Sequence, residues 1–172
     1  DTFDTEWCPG TTSDVMVENN ATKQVTDLGC EGIEFINGRF DASEMTHFHM
    51  DIYTETATLD KSFNFKFINF NGGTSEANAL QFSLTNASTP KLPNPNPGTW
   101  ISLDIPLSDF VGFIEGDSTK QNDITQFVIT SDLETVFYDN LYLYKEEGSG
   151  GGSEENIAAA PAPPTFTNAS DF

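Results

Sequence analysis

Two histidines, His47 and His49, share a strand-like run with Asp51 and Tyr53 in the string HFHMDIY. Residues at i, i+2 and i+4 of a strand point to one face, so His47, His49, Asp51 and Tyr53 are expected to share a surface. Histidines at i and i+2 also have metal-ligand spacing. They are, however, the only two in the chain, and both cysteines have another expected use. The polar-stripe reading of the run is therefore preferred to a catalytic metal. Other candidates for binding chemistry are Trp7, Trp100, Tyr138 and Tyr142, with Asn64 and Lys66. Pyranose rings offer flat C–H patches that rest on aromatic faces, and hydroxyls that pair with Asp, Asn, His and Lys. Trp and Tyr combine an apolar face with a polar tip, which suits that task. The competing reading is that these rings cover a sheet face or cap the core.

Hydrolytic chemistry has weaker support. A glycosidase needs two carboxylates facing each other across a cleft. Among 27 acids some pair always fits, and no compact acidic signature falls on a strand. No nucleophile elbow accompanies the histidines. The chain is expected not to be an enzyme.

The charge narrows the partners. Asp and Glu number 27 against 7 Lys and Arg, for a formal net charge of -20. Nucleic-acid binding requires a basic surface, and the single arginine is Arg39. A polybasic membrane anchor is excluded on the same ground, and no apolar run reaches the length of a spanning helix. Five acids lie beyond Lys145, which leaves 22 acids against 7 bases in the body. The tail is not the source of the acidity. Screening in salty water makes such a charge tolerable outside a cell.

The elements that must position these residues read as strands. Fifteen Phe, four Tyr and two Trp are dispersed among Asn, Thr, Ser, Gly and Pro. Strand-like runs are expected at 14–17, 32–36, 45–54, 62–70, 78–85, 99–105, 124–130 and 135–144, with turn signals between them. The segment 107–113 is expected to be a loop with at most one helical turn. Eight short strands without a helical period predict an all-β, two-sheet jelly-roll sandwich over residues 1–145. Alternation puts Phe63, Phe65 and Phe67 inward, with Asn64 and Lys66 outward. Ile101, Leu103 and Ile105 are expected inward. In the last run Phe137, Asp139, Leu141 and Leu143 are expected inward, with Tyr138, Asn140, Tyr142 and Tyr144 outward. An inward Asp139 without a basic partner would be costly to bury, and a structural calcium would offset that cost. Residues 146–165 are Gly/Ser- and then Ala/Pro-rich, and read as a linker. Residues 166–172 read as the start of a following repeat or as a docking tail.

Cys8 and Cys30 are the only cysteines. In an acidic, secreted-looking β domain they are expected to pair, the alternative being two buried thiols. Three Asn-Ala-Ser/Thr triplets begin at Asn20, Asn86 and Asn168, a pattern common by chance.

Three strings in order, FDASEMTHFHMDIYT, PGTWISLDIPLSDF and DITQFVITSDLETVFYDNLYLYK, closely resemble a jelly-roll module repeated in surface glycan-binding proteins and secreted glycoside hydrolases of marine Bacteroidetes. The resemblance spans about residues 4–145. It implies a galactose-binding-like sandwich and a noncatalytic, extracellular or cell-surface role. The implied ligand is a polysaccharide of the laminarin-type β-glucan class. It also assigns the Asp of the Asp139-Asn140 pair to structural calcium. Cys8 and Cys30 depart from the family pattern, as does the lack of an additional strand that relatives carry ahead of Asp1. The alternative is a structural repeat of a filament or adhesin, joined head to tail to neighbouring copies through the C-terminal tail.

Overall fold

The computed structural model describes residues 1–17, 19–35, 38–95 and 98–146. The proposed linker beyond Glu146 and the 166–172 tail lie outside these residues. The strands are β1 (Thr12–Val17), β2 (Asn20–Val25), β3 (Cys30–Glu34), β4 (His47–Tyr53), β5 (Ser62–Asn69), β6 (Asn78–Thr85), β7 (Ile101–Pro106), β8 (Ile124–Ser131) and β9 (Val136–Tyr144). Single 3-10 turns occur at Leu107–Asp109 and Ser118–Lys120. A five-stranded sheet runs in the order β1-β2-β9-β4-β7 and a four-stranded sheet in the order β3-β8-β5-β6. Every strand pair is antiparallel. This is the expected all-β sandwich, with β2 added to the runs read from sequence.

Strand β5 shows why these segments form. In SFNFKFIN the three phenylalanines are buried, and Asn64 and Lys66 between them are half-buried on the other face. The inner faces of both sheets meet in one aromatic core. Phe48 lies 4.9 Å from Phe65, and Phe67 lies 4.7 Å from Phe127, measured between ring centroids. Phe48, Phe63, Phe65, Phe67 and Phe127 are at most 2% exposed. Each such side chain contributes roughly 1.5–3 kcal/mol through burial.

Strand β9 departs from simple alternation. Asp51 pairs with Asp139, but His49 pairs with Tyr142, so two steps on β4 face three on β9. The extra residue is a β-bulge, and Asn140 takes it at φ +52. Asn is one of the few side chains that tolerate this left-handed conformation. The bulge reverses parity along the strand. Leu141 and Leu143 pack on the core as expected, but upstream it is Tyr138, not Phe137, that faces inward. Phe137 instead meets Tyr53 at 5.9 Å, on the outer side of the sheet. Asp139, expected inward, shares the outer face with Asp51.

Cys8 and Cys30 form a disulfide that spans 22 residues and ties the N-terminal segment to β3. Beside it, Gly32 of β3 approaches that segment closely. A Cβ there would fall 2.1 Å from Thr5 Oγ1.

Candidate functional site

The predicted site residues fall into three places. His47, His49, Asp51 and Tyr53 line the outer face of the five-stranded sheet with Tyr142, and Trp100 stands at its edge just ahead of β7. Asn64 and Lys66 lie on the outer face of the other sheet, on the opposite side of the sandwich. Tyr138 is in the core at 4% exposure. Burial there pushes its hydroxyl far above the ordinary tyrosine range, and the charge of Glu31 adds to the shift. Trp7 is exposed, and its ring lies near Gly32. The set therefore does not form one surface.

On the five-stranded sheet the rings are paired with one another. His47 stacks on Tyr144 at 5.2 Å, and His49 on Tyr142 at 4.8 Å. Tyr144 donates to Asp104 Oδ1 at 2.6 Å. Tyr53 lies 5.7 Å from Trp100, and its hydroxyl donates to Glu55 at 3.2 Å. Burial, then the Glu55 carboxylate, pushes the Tyr53 hydroxyl up to about 12. Burial and the nearby Asp104 likewise raise Tyr142 and Tyr144. Asp51 accepts from Asn140 Nδ2 at 2.7 Å, and His49 Nε2 stands 3.6 Å from the same Asp51 oxygen.

Neither the expected calcium at Asp139 nor the disfavoured histidine metal finds a matching set of ligands among the described residues. Among the described residues, no group of three or more His, Cys, Asp and Glu side chains is placed to hold an ion. His47 Nδ1 is 2.9 Å from Thr46 Oγ1, and its Nε2 is 3.3 Å from Glu146. Asp139 is half-buried rather than enclosed. Its carboxylate accepts from Asn20 Nδ2 at 2.5 Å and from the Asn140 backbone N–H at 2.8 Å. The buried, unpaired Asp139 that motivated calcium is not what the fold contains, and these residues do not fit the ion.

The outer face of the four-stranded sheet carries an open groove of about 740 Å³. Its floor is built by alternate residues of three neighbouring strands. Asn64 and Lys66 come from β5, Gln81 and Ser83 from β6, and Val128 and Thr130 from β8. Ser83 Oγ donates to Asn64 Oδ1 at 2.7 Å, which fixes the Asn64 amide with its Nδ2 3.5 Å from Thr130 Oγ1. Lys66 Nζ is 3.1 Å from Glu76 Oε2. Ser88 and Thr89 form part of one wall, and Asp109 and Val111 part of the other.

Backbone bonds between Gln81 and Val111, at 2.9 and 3.0 Å, hold the second wall against β6. Gly112 makes this possible. It sits at φ +97, and a Cβ there would fall 2.1 Å from the Ala79 carbonyl oxygen. Val111 is left 67% exposed beside the groove. Gln81 and Ser83 were absent from the sequence-based set. Their signal was nonetheless present, since NALQFSLT alternates as regularly as β5.

No family model matches the chain. No characterised protein matches it by sequence. Solved structures do match in three dimensions. A family 11 carbohydrate-binding module from Clostridium thermocellum, in complex with a β-1,3-1,4-mixed-linked tetrasaccharide, superposes with a TM-score of 0.54 at 14% identity. The match covers 84% of this chain and 86% of that one. The family 11 module of a cellulosomal cellulase of Clostridium thermocellum gives 0.54 at 15%, over 87% and 89%. A family 30 carbohydrate-binding module gives 0.54 at 15%, over 81% and 83%. The fold is the jelly roll of these modules. At such identities the likeness is one of fold, and the residues of the groove must carry the functional argument.

Proposed function

We propose that this chain is a noncatalytic carbohydrate-binding domain that holds a polysaccharide along the groove on its four-stranded sheet. The observation that carries the reading is the groove itself. It is an open trough across three strands with an amide and hydroxyl floor and an apolar wall residue, in the fold of modules of which one binds a β-linked tetrasaccharide. Asn64, Gln81, Ser83 and Thr130 supply donors and acceptors for sugar hydroxyls. Val111, 67% exposed, offers apolar surface to the C–H side of a ring. Among the described residues the one cation in the lining, Lys66, is paired with Glu76, and Asp109 adds a negative charge. That balance suits a neutral glycan, and a β-glucan of the laminarin or mixed-linkage class is the ligand proposed. The disulfide supports work in an oxidising, extracellular or cell-surface setting.

Affinity electrophoresis and calorimetry against laminarin, mixed-linkage glucan, xylan and alginate test this. Binding to a neutral glucan is expected, with Asn64→Ala/Gln81→Ala weakening it by roughly tenfold, the scale of a lost pair of hydrogen bonds. His47→Ala, on the opposite face, is expected to leave affinity unchanged. Glucan affinity that survives the groove variant and falls with His47→Ala would reject the assignment.

A further inference from the structure

The five-stranded sheet poses a separate question. Its outer face should be wet, as one face of an antiparallel sheet commonly is. Yet His49, Asp51, Tyr53 and Phe137, all pointing away from the core, are 5%, 1%, 4% and 3% exposed. Tyr53, Trp100 and Phe137 form an aromatic seat at one end of this face, with ring centroids 5.7 and 5.9 Å from Tyr53. The chain leaves the sandwich at the other end of the same face. There the Glu146 backbone N–H donates to Thr46 Oγ1 at 2.8 Å, and the Glu146 carboxylate lies 3.3 Å from His47 Nε2.

We propose that this face is a docking surface for the C-terminal segment of the same chain, with Phe166 seated against Tyr53, Trp100 and Phe137. The reach is right. From His47 to Tyr53 is six strand steps, about 20 Å at the usual rise. Phe166 lies twenty residues beyond Glu146, and a random-coil chain of that length has a root-mean-square extension of roughly 25 Å. A tether matched to its span holds the segment at an effective concentration on the order of millimolar, so a modest apolar contact suffices. The charge is right as well. Residues Ile157 to Ser170 carry no charged side chain, whereas the face holds Asp51, Asp104 and Asp139. An aromatic anchor flanked by uncharged residues buries there without adding to the acidic repulsion. The segment seats on the side of the sandwich opposite the glycan groove, so the inference does not rest on the reading of that groove.

Tryptophan emission tests it in a Trp7→Phe background, where Trp100 is the sole reporter. The chain ending at Glu146, and the full-length Phe166→Ala variant, are compared with the full chain. Both are expected to show steeper acrylamide quenching of Trp100 and a lower melting temperature. A synthetic 157–172 peptide at millimolar concentration is expected to restore the quenching of the truncated chain. Unchanged quenching and melting in both variants would overturn the proposal. So would light scattering that shows the full chain as a concentration-dependent oligomer and the truncated chain as a monomer, because the occupant would then be a second copy. Glucan affinity, read in parallel, is expected to be the same in all three proteins, and its loss in all three would count against the groove and not against the docking.

Discussion

Glu31 gives the fold a pH dependence that can be calculated. It lies on β3, fully buried, beneath the N-terminal segment that the disulfide holds in place. Burial, reinforced by the nearby Asp4 carboxylate, pushes its carboxyl from 4.5 up to about 7, against the opposing hydrogen bond from Thr12. The geometry supports a neutral acid. Thr12 Oγ1 lies 2.7 Å from Asp4 Oδ1 and 2.5 Å from Glu31 Oε2, and one hydroxyl proton cannot serve both. A protonated Glu31 donates to Thr12, which then donates to Asp4. Glu31 Oε1 has no partner among the described residues, and ionisation would leave part of the charge there.

Because the folded state binds this proton more tightly, Glu31 favours folding most below pH 4.5. That contribution is lost as pH rises from 4.5 to about 7. At about 1.4 kcal/mol per pH unit the loss is about 3 kcal/mol. For a domain of this size it corresponds to on the order of 10 °C in melting temperature. Glu31→Gln keeps the shape, supplies an amide N–H as the donor to Thr12, and removes the ionisation. Denaturant unfolding of both proteins at intervals from pH 4.5 to 8.5 measures the difference, in which the histidines and the other carboxylates cancel. The variant is expected to gain on the wild type across that window and to be more stable by about 3 kcal/mol at pH 8. Parallel curves would refute the reasoning, because Glu31 would then ionise as freely in the folded state as in the unfolded one.

Reduction of Cys8–Cys30 is expected to cost about 3 kcal/mol by the loop-entropy relation, read as a lower calorimetric midpoint, while intact mass of the native chain shows two hydrogens fewer than the reduced one. Gly112→Ala places a methyl against the Ala79 carbonyl oxygen and an unfavourable φ on the new residue. It is expected to cost more than about 2 kcal/mol in urea unfolding and to weaken glucan binding by unseating the Val111 wall. Tyr53→Ala is expected to lower stability by about 3 kcal/mol with glucan affinity preserved, since Tyr53 packs between Trp100 and Phe137 away from the groove. Calorimetric titration after thermal unfolding separates the two effects.

The sandwich was legible because β6, β7 and β5 as far as Phe67 alternate and their inner residues are large. Strand β2 was not, since NATKQV has one strongly apolar residue, Val25, and is a strand because β1 and β9 pair with it on either side. The outward and inward residues of β9 were legible only beyond Asn140. No single-sequence pattern marks the bulge, so alternation carried back from Leu143 puts Phe137 and Tyr138 on the wrong sides. The split of the candidate site was equally hidden. Asn64 and His47 belong to strands with similar patterns, and which sheet each joins is set by pairing across the whole chain. The raised Glu31 carboxyl depends on the N-terminal segment folding over β3, a contact that CEGIE by itself does not announce.

The two outer faces differ in a way that favours the groove as the proposed sugar site. A glycan gains affinity by replacing water on groups that are otherwise satisfied by water alone. On the aromatic face most such groups already have protein partners. Tyr144 gives its proton to Asp104, Tyr53 to Glu55, Asn140 to Asp51, and each histidine ring is stacked on a tyrosine. A sugar docking there would have to break these contacts and recover their cost. In the groove, the Gln81 side chain makes no hydrogen bond among the described residues, and Asn64, which accepts from Ser83 and donates to Ser62 and Thr130, keeps acceptor capacity on its Oδ1, as Ser83 does on its hydroxyl oxygen. Their orientation is fixed before the ligand arrives, which lowers the ordering cost of binding. The rings that first suggest sugar recognition in the sequence are therefore spent on the protein itself, and under the proposed function the Asn64 and Gln81 amides are the groups left to meet a glycan.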